Sequence, residues 1–116
     1  MDPIRVDKPW GHELIFAHTA AYVGKILFIR KGHKLSLQYH RVKDETILLH
    51  SGAMILTVEE NGSLVEKALH PGGSHHIPPG IQHRMEALED CTVFEVSTPH
   101  LDDVVRIQDA YGRAGG

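Results

Sequence analysis

Turn residues divide this chain into short β-rich runs rather than helices. Lys31-Gly32, Ser51-Gly52, Glu60-Asn61-Gly62-Ser63, Pro71-Gly72-Gly73 and Pro78-Pro79-Gly80 are the clearest of these breaks. Glycine reaches the left-handed conformations of tight turns and proline withholds a backbone donor, so each cluster ends an element. The runs between them are β-branched, aromatic or alternating: Tyr22 to Arg30, Leu35 to His40, Thr46 to His50, Met54 to Glu59, Leu64 to Leu69, Ser74 to Ile77, His83 to Leu88 and Thr92 to Ser97. Short strands in this pattern predict an all-β sandwich or barrel. Asn61-Gly62 predicts a hairpin. Val104 to Tyr111 is the one stretch that reads as a helical turn or two.

With 116 residues the chain makes one domain. It divides into an N-terminal arm (1–14), a barrel core (25–97) and a C-terminal segment (98–116). The net charge of −3 argues against general nucleic-acid binding, which needs a basic face. No apolar run is long enough to span a bilayer, and Met1-Asp2-Pro3-Ile4-Arg5 does not read as a secretory signal. Cys91 is the single cysteine, which fits a reducing compartment; the expected location is the cytoplasm.

Ten histidines are the compositional outlier. His12, His18, His50 and His100 suit surface or turn positions. Gln38 and His40 differ: side chains alternate along a strand, so these two share a face. Glu45 returns to that face across a short turn, and the distant His83 completes a set of nitrogen and oxygen donors suited to a divalent metal. Such a set leaves a coordination position for water or substrate, the mark of a catalytic rather than a structural ion. Zinc heads the expectation, with manganese, iron, nickel and cobalt compatible with the same donors.

Other candidates surround this set. Lys25, Arg84, Arg106 and Arg113 are cations within reach of an anionic substrate, although alternation turns Arg84 away from the His83 face and Lys25 also reads as a solvent-facing strand residue. Glu95 sits inside the apolar run Val93-Phe94-Glu95-Val96, where a charge must face a polar cavity or form a buried pair. Glu86 and His33 are weaker proton carriers. His75-His76 belongs to a rim or a structural position, and Trp10 to packing.

Two segments carry a family resemblance. Gly32, Gln38, His40, Glu45 and Gly52 follow the spacing of the first cupin motif, with Gln38 in place of its first histidine. Gly72, Pro78, Gly80 and His83 follow the second, with Ala87 in place of its closing asparagine. The glutamine resembles the phosphomannose isomerases, whose metal sites use Gln, His, Glu and His. Lys8-Pro9-Trp10-Gly11, Leu35-Ser36-Leu37-Gln38-Tyr39-His40 and the segment from Asp102 to Arg113 are similar to the cupin domain of the type II enzymes of that group. Those enzymes usually carry a nucleotidyltransferase domain as well, and an aromatic residue where this chain has Thr46.

The resemblance implies a single-domain cupin, a jelly-roll barrel of two antiparallel sheets, with Gln38, His40, Glu45 and His83 as metal ligands. It implies a sugar or sugar-phosphate isomerase similar to mannose-6-phosphate isomerase, in which the ion polarises a carbonyl and Glu95 moves the proton. Arg106, in the closing segment, is the implied holder of an anionic group, together with Lys25. A homodimer is expected through the N-terminal arm. An iron-dependent cupin oxygenase and a non-catalytic small-molecule or carbohydrate-binding cupin remain as alternatives.

Overall fold

The computed structural model describes residues 2–113. Eleven strands and no helix occur among them. They are β1 (Ile4–Lys8), β2 (Gly11–His18), β3 (Val23–Ile29), β4 (Leu37–Tyr39), β5 (Glu45–Ser51), β6 (Met54–Glu60), β7 (Ser63–Leu69), β8 (Ser74–Ile77), β9 (His83–Ala87), β10 (Cys91–Ser97) and β11 (Val105–Gln108). A six-stranded sheet runs β1-β2-β3-β10-β5-β8 and a five-stranded sheet runs β11-β4-β9-β6-β7. All pairings are antiparallel. This is the cupin jelly roll.

Alternation decides what lies between the sheets. In β5, β6 and β9 every second residue is buried. Leu27, Ile29, Ile47, Leu49 and Val93 from one sheet meet Met54, Leu56, Val58, Met85 and Ala87 from the other, with Trp10 and Leu35 in the same cluster. Each fully buried aliphatic side chain contributes about 1.5–3 kcal/mol. Trp10 is only 2% exposed, so it packs as expected.

Two turns follow their sequence signals. Asn61 and Gly62 both have positive φ, 53° and 80°, the requirement of the tight turn joining β6 to β7. Gly52 sits at φ +98°, and a Cβ there would lie 2.3 Å from the Asp90 carbonyl oxygen, so only glycine fits between β5 and β6.

One expectation changes. The stretch from Val104 to Tyr111 is not helical: its centre is β11, pairing Val105 with Tyr39 and Arg106 with Gln38. The edge of β4 needs a partner for its backbone groups, and Val-Arg-Ile-Gln alternates with the period of a strand. Residues of the 1–14 segment build β1 and the first half of β2, which pair within this chain's own sheet; β1 is its outer edge. The last three residues of the 98–116 segment lie outside the described residues.

Candidate metal centre

The inner ends of three strands bring the sequence-predicted ligands together. His40 follows β4, Glu45 opens β5 and His83 opens β9, and all three are buried. One donor atom from each lies within 4.8 Å of the others. His83 Nε2 is 3.2 Å from Glu45 Oε1, and His40 Nε2 is 3.7 Å from Glu45 Oε2. Gln38 stands opposite His83 in the β4–β9 pair and lines the same cavity of about 100 Å³. Its amide oxygen accepts a hydrogen bond from the Ser36 hydroxyl at 2.9 Å, which fixes the amide and leaves the second lone pair of that oxygen free.

The histidines are oriented from behind. His40 Nδ1 meets the Asp103 carbonyl and His83 Nδ1 meets the Ile81 carbonyl at 2.9 Å. A carbonyl accepts only, so each Nδ1 carries the proton and each Nε2 turns a lone pair inward. Both Nε2 atoms and Glu45 Oε2 are buried without an aligned hydrogen bond among the described residues. Three buried acceptors facing one another fit a divalent cation, which would satisfy all of them at once. Burial by itself pushes the Glu45 carboxyl up; contacts with His40 and His83 and the charge of Lys43 outweigh it and hold the group well below the usual carboxylate range.

Lys43 is the residue that sequence reasoning missed. It is buried, and its Nζ lies 2.9 Å from Glu45 Oε2 and 3.0 Å from Glu95 Oε2. The angles fall short of hydrogen bonds to those oxygens, but the distances are those of ion pairs. Burial lowers a lysine, yet Glu95 and then Glu45 reverse that and raise Lys43 above its ordinary value. A signal existed: Lys43 and Glu45 are two apart, so in an extended chain they share a face.

Asp103 was also missed as a site residue. Its carboxylate accepts the backbone N–H groups of Arg41, Val42 and Lys43 at 3.0, 2.7 and 2.9 Å, while its carbonyl orients His40. The loop carrying Lys43 is thus tied to the C-terminal segment. Burial raises this carboxyl, but the Lys43, Val42 and Arg41 amides lower it to about 2. A depressed carboxyl contributes stability that is present above its unfolded value and lost as pH falls through the folded one. Asp103→Asn should therefore flatten the decline in thermal stability between about pH 4 and pH 2 relative to the parent, and should weaken metal binding roughly tenfold at neutral pH by loosening His40. Parallel acid-melting curves with unchanged metal affinity would contradict this role.

The remaining candidates separate clearly. Glu95 faces the cavity and is held by Lys43. Lys25 is buried rather than solvent-facing; it stands opposite Glu95 and its Nζ is 3.3 Å from Glu13 Oε1, a buried acid that sequence reading passed over. Alternation with Val23 and Leu27 turns Lys25 inward. Arg106 lines the cavity beside Gln38, and its Nε is buried without a hydrogen-bond partner among the described residues. Arg113 also lines it while its guanidinium makes two hydrogen bonds to Asp109, at 2.9 and 3.0 Å, and its backbone N–H a third at 2.8 Å. Lys8, half-buried, joins the same wall. Arg84 points away, to the Leu35 and Gln108 carbonyls, and Glu86 is not in the cavity wall. His33 bonds the Tyr111 hydroxyl at 2.7 Å, and His76 bonds Asp44 at the exposed rim.

The chain is similar to known proteins to different extents. Over residues 3–109 the chain matches the family model described as "Mannose-6-phosphate isomerase C-terminal". It is 31% identical over 114 residues to the xanthan biosynthesis protein XanB of Xanthomonas campestris pv. campestris, covering 94% of this chain and 24% of that protein. It is 32% identical over 113 residues to mannose-1-phosphate guanylyltransferase ManC of Salmonella typhimurium, covering 93% and 23%. The chain thus spans about a quarter of the length of these relatives. The structure of KdgF from Halomonas sp. superposes with a TM-score of 0.75 at 25% identity, covering 85% of this chain and 88% of that one. No helix among the described residues is long and apolar enough to cross a membrane. A matched span running almost the whole length of the chain, on a cupin barrel with converging imidazoles and carboxylate, places it in the family of the mannose-6-phosphate isomerase C-terminal domain.

Proposed function

We propose that this domain is a metal-dependent isomerase interconverting the aldose and ketose forms of a sugar or sugar phosphate, with mannose 6-phosphate the first substrate to test. The observation that carries the reading is the set of three buried lone-pair atoms on His40, Glu45 and His83 beside a carboxylate, Glu95, that faces the same cavity. Gln38, His40, Glu45 and His83 would hold the ion, which when bound supplies Lewis-acid polarisation of the substrate carbonyl. Glu95 removes the proton from the carbon beside the carbonyl and returns it to the former carbonyl carbon, while the hydroxyl proton passes from the oxygen of the first carbon to that of the second, which balances the enediol step. Lys43, 3.0 Å away, holds that carboxylate in place. Arg106 offers a buried guanidinium N–H for an anionic group, and Lys25 does so while shared with Glu13. Walls of Leu27, Leu35 and Met85 keep bulk water from the reacting carbons. In this reading the protein works in the cytoplasm, as a homodimer, on a small sugar.

Two imidazoles and one carboxylate also form the donor set of non-haem iron oxygenases, and that specific set supports the oxygenase as second reading. One experiment separates the two. Metal-free protein is reloaded with zinc, manganese, iron, cobalt or nickel and mixed with mannose 6-phosphate or mannose in deuterated water. NMR should show the ketose and deuterium at the exchanged carbon, and Glu95→Gln should cut turnover by about 10²–10⁴-fold with metal content unchanged. Absence of exchange with every ion would reject the isomerase; oxygen uptake with iron alone would favour the oxygenase.

A further inference from the structure

Each of the four central strands of the six-stranded sheet turns one ionisable side chain toward the cavity: Glu13 from β2, Lys25 from β3, Glu95 from β10 and Glu45 from β5. The strands are neighbours in that order, so the four form a row leading away from the ligand Glu45. Lys25 stands opposite Glu95, and Glu13 lies one step further along, opposite Leu27. Lys43 ties Glu45 to Glu95. Glu13 and Lys25 make up the far end of the row, and the chemistry at the ion gives Glu13 no part.

Folding alone does not explain this pair. Glu13 lies between Gly11 and Ile15 on the buried side of β2, and Lys25 between Val23 and Leu27 on that of β3. Their side chains are 10% and 9% exposed. Apolar residues of similar volume often serve such positions as well as an ion pair does, because desolvating both charges offsets their attraction. Lys25 Nζ donates to Glu13 Oε1 at 3.3 Å, and among the described residues this is the one side-chain hydrogen bond of either group. An ammonium has three donors and a carboxylate about four acceptor positions, so most of both remain open to a ligand. An anion brought to Lys25 also meets the charge of Glu13. A hydroxyl instead donates to the carboxylate and accepts from the ammonium.

We propose that Glu13 and Lys25 together read the hydroxyl groups of the sugar beyond its reacting carbons, and that this pair sets the preference for a polyhydroxylated chain. Three strand spacings separate β5 from β2, roughly 14 Å of backbone. A carbonyl and its neighbouring carbon held at the ion therefore lie beside Glu95, and Glu13 faces the carbons that follow. Arg106 stands in the opposite sheet beside Gln38 and keeps the anionic group. The part given to Lys25 narrows accordingly, from the anion to the hydroxyls. The inference rests on the proposed function for the class of ligand, a sugar, and not for its turnover.

Titration calorimetry of the zinc-loaded full chain, freed of excess ion, tests it with two probes. One is inorganic phosphate; the other is mannitol 1-phosphate, which adds the hydroxyl chain without a carbonyl to turn over. The parent should prefer mannitol 1-phosphate by about 10–100-fold, the worth of one or two hydrogen bonds to charged groups. Glu13→Gln and Lys25→Met should each remove most of that preference and leave phosphate binding within about threefold of the parent. The double variant Glu13→Leu with Lys25→Met should show the same loss and melt at or above the parent temperature, which a purely structural pair would not allow. Weaker phosphate binding in Lys25→Met together with tighter binding in Glu13→Gln would make Lys25 an anion holder and overturn the proposal. So would an unchanged preference in folded Glu13→Gln, or a parent that binds mannitol 1-phosphate no better than phosphate. If Lys25→Met fails to fold, Glu13→Gln and the double variant decide. Absence of deuterium exchange with the preference intact would reject the isomerase and leave the hydroxyl assignment standing.

Discussion

Replacing Lys43 with methionine is expected to be the most destabilising single change in the pocket, lowering stability by about 3–5 kcal/mol. The reason is the company it keeps. Glu45 and Glu95 side chains are 2% and 5% exposed, and the Lys43 ammonium touches both. Methionine fills similar volume, so the loss is electrostatic: two buried carboxylates are left without their shared counter-ion. For a domain of this size the melting temperature should fall by on the order of 10 °C. Two controls make the assignment specific. Adding Glu95→Gln to Lys43→Met should recover part of the loss, because the two positions are coupled. A saturating divalent ion should stabilise Lys43→Met more than the parent, because the ion replaces the missing charge beside Glu45. A melting temperature within a degree or two of the parent would show that the ammonium is dispensable.

Replacing Glu45 with glutamine carries the second large effect, on ion binding rather than folding. The substitution keeps shape and removes the one anionic donor of the set. In the parent, an ion at about 100 times its dissociation constant should add about 2.7 kcal/mol of stability. That increment should vanish in Glu45→Gln at the same concentration, with affinity down by more than the roughly 10–100-fold that outer-sphere partners contribute. Thermal melts with and without zinc or manganese measure both numbers. Equal stabilisation of parent and variant would move the ion elsewhere.

Much of this site could be read from spacing, and the parts that could not have a common cause. Gln38, His40, Glu45 and His83 lie where strand alternation and paired turns put them, because local geometry fixes which face a side chain takes. Alternation also places Lys43 with Glu45 and Lys25 with Val23 and Leu27; those lysines were legible in principle, but charge suggested solvent. Asp103 is different. It grips residues 41–43 from some sixty positions away, and nothing local to either segment announces that contact. The same holds for β11, where four alternating residues are too short a run to prefer a strand until β4 is seen to need a neighbour. Glu13 looked like an ordinary acid near the N-terminus and proved to be the buried partner of Lys25 only once β2 lay beside β3.

The dependence of the site on distant segments explains why residues flanking the motifs matter. The C-terminal segment supplies Asp103 behind His40 and Arg106 beside Gln38. The N-terminal strands supply Trp10 to the core and Glu13 to Lys25. The cavity is therefore closed by chain on both sides of the two motifs, in keeping with a family match that runs from residue 3 to residue 109.

Anomalous diffraction from crystals grown with one equivalent of zinc or manganese, collected at the absorption edge of that metal, puts the central claim to its most direct test. One peak per chain should lie within bonding distance of His40 Nε2, His83 Nε2, a Glu45 carboxylate oxygen and the Gln38 amide oxygen. A peak at some other cluster, or none in the cavity despite ordered side chains, would contradict the account.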